Sequence, residues 1–305
     1  MNKSVRGVLA VLVAGCFWGI TGLFVKYFES IGIDSLQMVF LWMLVTAGVL
    51  LIGLLLFRPK LLRIRLEDCW CFLGNGIFSL LMFSLCYFQA IQLSSMAVAA
   101  VLMYTAPIIV MILSLFLFRE RMTWLKSIAC GLSFAGCVFV AGLLRNAEPV
   151  SMPALLTGLG SGLGYALYSI FSRYAINKGY HTLTILTYSF TVAFIGTIPF
   201  TDISATFQAL QGRPVAILMT VLMGLVSAVF PYLLYTYGLT CIESSRASII
   251  ASVEPVVATI VGILIFHEVL DFGGIIGIVL VLSALVLLNF KQLPKIKRSI
   301  SKEEG

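Results

Sequence analysis

The chain has 305 residues, 60% of them hydrophobic and 11% charged, with a formal net charge of +7 and a mean hydropathy of +1.07. Soluble domains run near half apolar and about a quarter charged, so this much apolar surface requires a bilayer as a second solvent. Long soluble catalytic or nucleotide-binding units are thereby excluded.

A bilayer core of about 30 Å needs about 20 apolar residues per helix. Ten such runs follow one another, at 5–28, 35–57, 68–92, 95–118, 124–143, 152–175, 182–200, 213–241, 244–266 and 271–290. The first is too long for the apolar segment of a signal peptide and lacks a small-residue cleavage site, so it is expected to be retained as a span. The seventh is threonine-rich (Thr182, Thr184, Thr187, Thr191, Thr197) and ends at Pro199. The connections are short, and a basic tail, 291–305, closes the chain. Seven cysteines, at 16, 69, 71, 86, 130, 137 and 241, show no metal-ligand spacing and read as reduced, small apolar residues. Neither a metal nor a cofactor is expected.

Lys and Arg set the orientation. With the N-terminus in the cytoplasm, seventeen of the twenty basic residues fall on the inside, and only Lys26, Arg145 and Arg213 fall outside. This asymmetry, with an even number of spans, predicts that both termini are cytoplasmic, and the short loops without a targeting extension lead to the expectation of a multi-pass protein of the plasma (inner) membrane. The basic charge is then topological, and nucleic acid is not an expected partner.

The two halves of the chain repeat each other. At an offset of 147, Trp18 meets Tyr165, Phe24 meets Phe171, Lys26 meets Arg173 and Tyr27 meets Tyr174. From the third run onward, at 148, Gly76 meets Gly224, Ser79 meets Ser227, Tyr87 meets Tyr235, Pro107 meets Pro255 and Glu120 meets Glu268. Five spans is an odd number, so the second copy enters the membrane from the opposite face. Inverted repeats of this kind place a solute site near the midplane between them. The expected units are 5–143 and 152–290.

The aromatic first run (Phe17-Trp18-Gly19), Tyr104-Thr105-Ala106-Pro107 followed by Phe118-Arg119-Glu120, and Val253-Glu254-Pro255 followed by Phe266-His267-Glu268 resemble the ten-helix EamA-like family of the drug/metabolite transporter superfamily. The resemblance spans residues 5 to 290. It implies an all-α polytopic membrane protein: ten transmembrane helices as two inverted five-helix repeats around a central cavity, moving solute by alternating access. It names no substrate. The family includes exporters of amino acids and other metabolites.

Several residues are candidates for chemistry. Glu254 lies near the centre of the ninth run, where an ionised carboxylate is costly. It reads as a proton-titrating site, as a counter-charge for a substrate ammonium group, or as a cap for carbonyls freed by Pro255. Its repeat partner is Ala106. Pro107 and Pro255 are expected to kink their helices, as fixed bends or as gate hinges. Helical spacing gathers Ala14, Trp18, Thr21 and Val25 on one face, Ser161, Tyr165, Tyr168 and Ser172 on another, and Asn75, Ser79, Met82, Cys86 and Gln89 on a third. From these faces Trp18, Thr21, Asn75, Ser79, Gln89, Tyr165 and Tyr168, with Tyr104, Tyr232, Tyr235 and Glu254, are candidate cavity residues. Such a wall suits a partly apolar solute or a cation over an aromatic face, and equally suits interhelical packing. Gly158, Gly160, Gly162 and Gly164 are expected to serve close helix packing. Glu120 and Glu268 are candidate latches on opposite membrane faces, or carboxylates in water. Lys26 either snorkels to the interface or meets a substrate carboxylate.

The leading expectation is a secondary transporter for an amino acid or amine-like solute, exporting it across the plasma membrane. A passive channel-like facilitator and a non-transporting partner or sensor subunit are the alternatives. No H-E-x-x-H, G-x-S-x-G or paired acidic metal motif supports an enzyme. The implied partners are a small-molecule solute and the lipid bilayer, with protons as a candidate coupling ion and a second copy of the chain as a candidate companion.

Overall fold

The computed structural model describes residues 2–142, 150–267 and 272–289, which are helical nearly throughout and contain no strand. Ten apolar helices succeed one another: α1 Lys3–Ser30, α2 Ser35–Phe57, α3 Leu66–Leu93, α4 Met96–Phe118, α5 Trp124–Val140, α6 Met152–Asn177, α7 Thr182–Phe200, α8 Pro214–Cys241, α9 Ser244–Phe266 and α10 Phe272–Leu288. Eight are long and apolar enough to cross a membrane, and α5 and α10 are shorter. At 1.5 Å per residue, a 17-residue helix still spans most of a hydrocarbon core. The tail 291–305 and Glu268 lie outside the described residues.

Polar residues at the loop ends start the helices. Asp34 and Gln37 form a reciprocal capping box at α2, with both bonds at 2.9–3.0 Å. The Ser95, Thr123 and Ser151 hydroxyls each accept from an amide in the first turn of α4, α5 and α6. In the threonine-rich α7, Thr187 and Thr191 donate to carbonyls one turn back, at 2.8 and 2.7 Å, which satisfies their hydroxyls within the helix. Its end at Pro199 is a single 3₁₀ turn, Ile198–Phe200. A short helix, Ile203–Leu210, occupies the connection to α8.

The two halves are inverted and interlocked. The first helix of each half packs against the third and fourth helices of the other: α1 on α8 and α9, and α6 on α3 and α4. The contact is close because it is made by glycine. A Cβ on Gly15 would lie 2.5 Å from Val253 Cγ1, and one on Gly162, its partner at offset 147, would lie 2.5 Å from Thr105 Oγ1. Each glycine therefore seats on the discontinuity in the fourth helix of the opposite half, as small residues do where membrane helices approach.

That discontinuity corrects the expected proline kinks. Helix α4 stops at Met103 and restarts at Ala106, and α9 stops at Ala251 and restarts at Glu254. Pro107 and Pro255 sit in the first turn of the restarted segments, where a missing amide proton costs nothing. They begin half-helices and do not bend continuous ones. The segments also end alike: Arg119 (φ 52°) and His267 (φ 55°) both cap in the left-handed region. A second shared irregularity is π-helical winding in the third helix of each half, over Gly74–Leu81 and Gly224–Val229.

Candidate functional site

Between the halves, α1, α3, α6 and α8 converge on a chamber of aromatic rings. Trp18 of α1 meets Tyr232 and Tyr235 of α8, with ring centroids 5.1 and 5.4 Å apart, and Tyr165 of α6 at 6.1 Å. Tyr168 stands 4.8 Å from Tyr232. Ser79, Leu80 and Phe83 of α3 complete the wall. The rings leave room for about one water molecule, so the chamber holds no solute-sized space in this conformation.

Hydrogen bonds aim the rings. The Tyr168 hydroxyl is hydrogen-bonded to Thr236 Oγ1 at 2.7 Å, and the Tyr235 hydroxyl to Ser169 Oγ at 2.7 Å. Both pairs join α6 to α8. Phe190 of α7 closes edge-on against Tyr232 at 5.1 Å. These bonds fix the Tyr168 and Tyr235 rings where they line the chamber.

Glu254 lies one step from this cage, in the first turn of the restarted α9, where the helix dipole favours an anion. The Tyr165 hydroxyl donates to Glu254 Oε2 at 3.5 Å, a long bond that leaves the carboxylate accessible to another donor. Tyr165 is thus shared between the chamber and the acid.

Other candidates have different surroundings. Thr21 sits at the break in α1 and donates to Ser227 at 3.0 Å, which ties α1 to α8. Asn75 is buried and donates to Ser172 at 2.9 Å in the packing of α3 on α6. Tyr104 is buried at the α4 discontinuity beside Met103, Cys137 and Val256. Gln89 is exposed and takes no part in the chamber. The expected α3 face was drawn with ordinary helical spacing. The π-helical turns insert an extra residue, so beyond Ser79 the wall continues through Phe83 in place of Met82, and Gln89 rotates away. Phe83, Ser169 and Thr236 were missed. Thr236 follows Tyr232 by four residues and Phe83 follows Ser79 by four, so helical spacing makes both legible.

On the membrane face that carries the N-terminus, a vestibule of about 550 Å³ opens between the ends of α4, α6, α8 and α9. Glu120 stands in it. One carboxylate oxygen accepts from the Ser244 amide at 2.8 Å, and the other from the Ser245 amide at 3.2 Å and the Ser245 hydroxyl at 2.5 Å. The acid therefore caps α9 across the repeat boundary. Lys126, itself buried, pairs with Glu243 at 2.5 Å and donates to Ser245 at 3.1 Å. The Arg173 guanidinium donates to Ser244 Oγ at 3.0 Å and to the Ile242 carbonyl. At the opposite face the repeat partner of Arg173, Lys26, places its ammonium 3.5 Å from the centroid of the Phe266 ring. Among the described residues no group of three or more His, Cys, Asp or Glu side chains could hold a metal, and all seven cysteines are free thiols.

Two inverted five-helix halves closed over a shared aromatic chamber define a multi-pass membrane transporter fold. The chain belongs to the EamA-like transporter family, whose model matches it twice, over residues 5–142 and 152–290. An uncharacterized transporter of Archaeoglobus fulgidus is 28% identical over 281 residues, covering 92% of this chain and 95% of that protein. The uncharacterized inner membrane transporter YicL of Salmonella typhimurium is 24% identical, covering 95% of this chain and 97% of the relative. A solved crystal structure superposes with a TM-score of 0.75 at 17% identity, covering 95% of this chain and 98% of the other, and shows the same fold.

Proposed function

We propose that this protein is a secondary carrier that moves an amino acid or amine-like solute outward across the plasma membrane by alternating access, with both termini in the cytoplasm. The observation that carries the reading is the closed cage of Trp18, Tyr165, Tyr168, Tyr232 and Tyr235 with Glu254 on its rim. Aromatic faces attract a desolvated cation, and a carboxylate beside them completes a site for an ammonium group. An unneutralised acid at that depth is costly. A proton or the solute's ammonium group relieves the cost equally well, so the two compete for Glu254 and an inward proton gradient drives the solute out. Tyr165, touching both Trp18 and Glu254, reports to the cage which of them is bound.

The interlocked halves support alternating access. The breaks in α4 and α9 are equivalent by the repeat, and each is held by a glycine of the other half. Rocking one half against the other moves both breaks together and exchanges which mouth is open. In this state Glu120 and Lys126 bind the start of α9. Glu120 acts as the latch of the N-terminal face.

A stability screen of the purified protein against amino acids, amines, nucleosides and sugars tests the reading, because a ligand of the folded state raises apparent stability by mass action. Amine-bearing solutes should stabilise the wild type and should fail to stabilise Trp18→Ala. Stabilisation by anionic or uncharged solutes alone would remove the cation site from the account.

A further inference from the structure

On the same membrane face as the vestibule, but apart from it, a second cavity of about 420 Å³ lies between the α2–α3 and α6–α7 connections. Four cations line it: Lys60, Arg63, Arg65 and Lys178, with His181 beside them. A single carboxylate, Asp68, faces them, and it is already engaged. Asp68 is buried, pairs with Lys178 at 2.5 Å and accepts from the Tyr180 hydroxyl at 2.7 Å. Arg65 reaches only the exposed Glu67, at 3.8 Å. Lys60 and Arg63 form no ion pair and no side-chain hydrogen bond among the described residues.

The cations are held in place by the fold. The carbonyls of Leu61 and Leu62 accept from Thr184 at 2.8 Å and Tyr188 at 2.6 Å, and the Arg65 amide donates to the Tyr180 hydroxyl at 3.1 Å. These bonds fasten a loop of the first half to the α6–α7 connection and α7 of the second half. Orientation in the membrane needs only that basic residues lie on one face, in any arrangement. It does not require that two segments over a hundred residues apart converge their cations on one cavity. Next in sequence to the lining residues, apolar side chains are left exposed: Leu66, which follows Arg65, is 89% exposed, and Phe57, three residues before Lys60, is 79% exposed. A soluble anion has no use for such side chains, whereas acyl chains do.

We infer that this cavity binds the phosphate headgroup of an anionic phospholipid of the adjacent leaflet, with Lys60 and Arg63 as its main ligands and Phe57 and Leu66 against the acyl chains. The lipid then bridges a loop of each half and stabilises their relative position on this face. The unengaged donors of Lys60 and Arg63 receive phosphate oxygens, and Lys178 stays cationic because its bond to Asp68 pushes the ammonium above its ordinary range.

Native mass spectrometry tests the site, using full-length protein released from micelles holding equal phosphatidylglycerol and phosphatidylcholine. The wild type should retain phosphatidylglycerol preferentially. The double variant Lys60→Gln/Arg63→Gln should reduce that preference about tenfold, since each basic group near an anionic headgroup contributes strongly to binding. Lys3→Gln/Arg6→Gln, which removes exposed cations of the same face away from the cavity, should leave it unchanged. The single variant Arg63→Gln should fall between. Equal retention of the two lipids, an equal loss in the Lys3/Arg6 pair, or displacement of the lipid by inorganic phosphate alone would overturn the assignment.

Discussion

The two halves of this molecule agree in backbone and differ in side chains, and the difference locates the chemistry. They share the interrupted fourth helix, the left-handed caps at Arg119 and His267, the π-helical turns of the third helix and the glycine seated on each break. These features set how two five-helix units interlock, and they recur because the interlock has two-fold symmetry. The chamber is not symmetric. Tyr168 faces it where the other half has Thr21, bonded to Ser227. Tyr232 faces it where the other half has Ser84, whose hydroxyl turns back on its own helix to the Leu80 carbonyl. Glu254 stands where the other half has Ala106. Architecture resides in the matches, and recognition draws on both: Trp18, Tyr165 and Tyr235 stand at positions that are aromatic in both halves, whereas Tyr168, Tyr232 and Glu254 have no counterpart of their kind.

The largest effect should come from breaking a match. A side chain at Gly162 meets Thr105 Oγ1 and the Leu102 carbonyl at 2.5 and 2.8 Å, and backbone cannot retreat. Gly162→Val should cost about 3 kcal/mol or more and abolish a monodisperse detergent-solubilised species, while Gly48→Val, which meets nothing within 4 Å, should elute as wild type. Next comes the cage. Trp18→Ala should weaken solute binding by about a hundredfold in a titration, because it removes a ring touching three others. Trp18→Tyr, which installs the residue of the opposite half, should recover most of that loss.

The mismatch at Glu254 should give a smaller but more informative change. In proteoliposomes, Glu254→Gln should flatten the pH dependence of solute flux with the folded protein retained, and Ala106→Glu should not create a second pH-dependent step. If the glutamine variant transports with the wild-type pH profile, Glu254 serves only as a first-turn anion of α9. The smallest effect belongs to the mouth. Glu120→Gln keeps the shape but not the charge of the α9 cap, and should lower stability by about 1 kcal/mol, read as a melting midpoint a few degrees lower.

Much of this was legible in the sequence because a bilayer imposes simple rules. Every backbone group must be paired within the helix, so apolar length alone reports the spans, and the repeat offset alone reports the inversion. The cage was half legible: Trp18, Tyr165 and Tyr168 lie on faces that helical spacing defines, Tyr232 and Tyr235 are single candidates of the eighth run, and the five converge. What ordinary helical spacing cannot show is where a helix departs from it. The π-helical turns in α3 exchanged Met82 for Phe83 and turned Gln89 outward, and the restarts in α4 and α9 converted two expected kinks into two helix starts. Prolines announce a discontinuity but not its form. Long-range bonds such as Glu120 to Ser244 and Asp68 to Lys178 join residues more than a hundred positions apart and leave no local signal.

The central claim is that one site between the halves is exposed alternately to each face. Counterflow measures this directly: proteoliposomes are loaded with an excess of an unlabelled solute identified by the stability screen, and uptake of a labelled trace of the same solute is followed. A saturable overshoot that disappears in Trp18→Ala is the predicted result. Labelled uptake that rises linearly with concentration, shows no overshoot and is unchanged by Trp18→Ala would contradict a carrier with its site in the aromatic chamber.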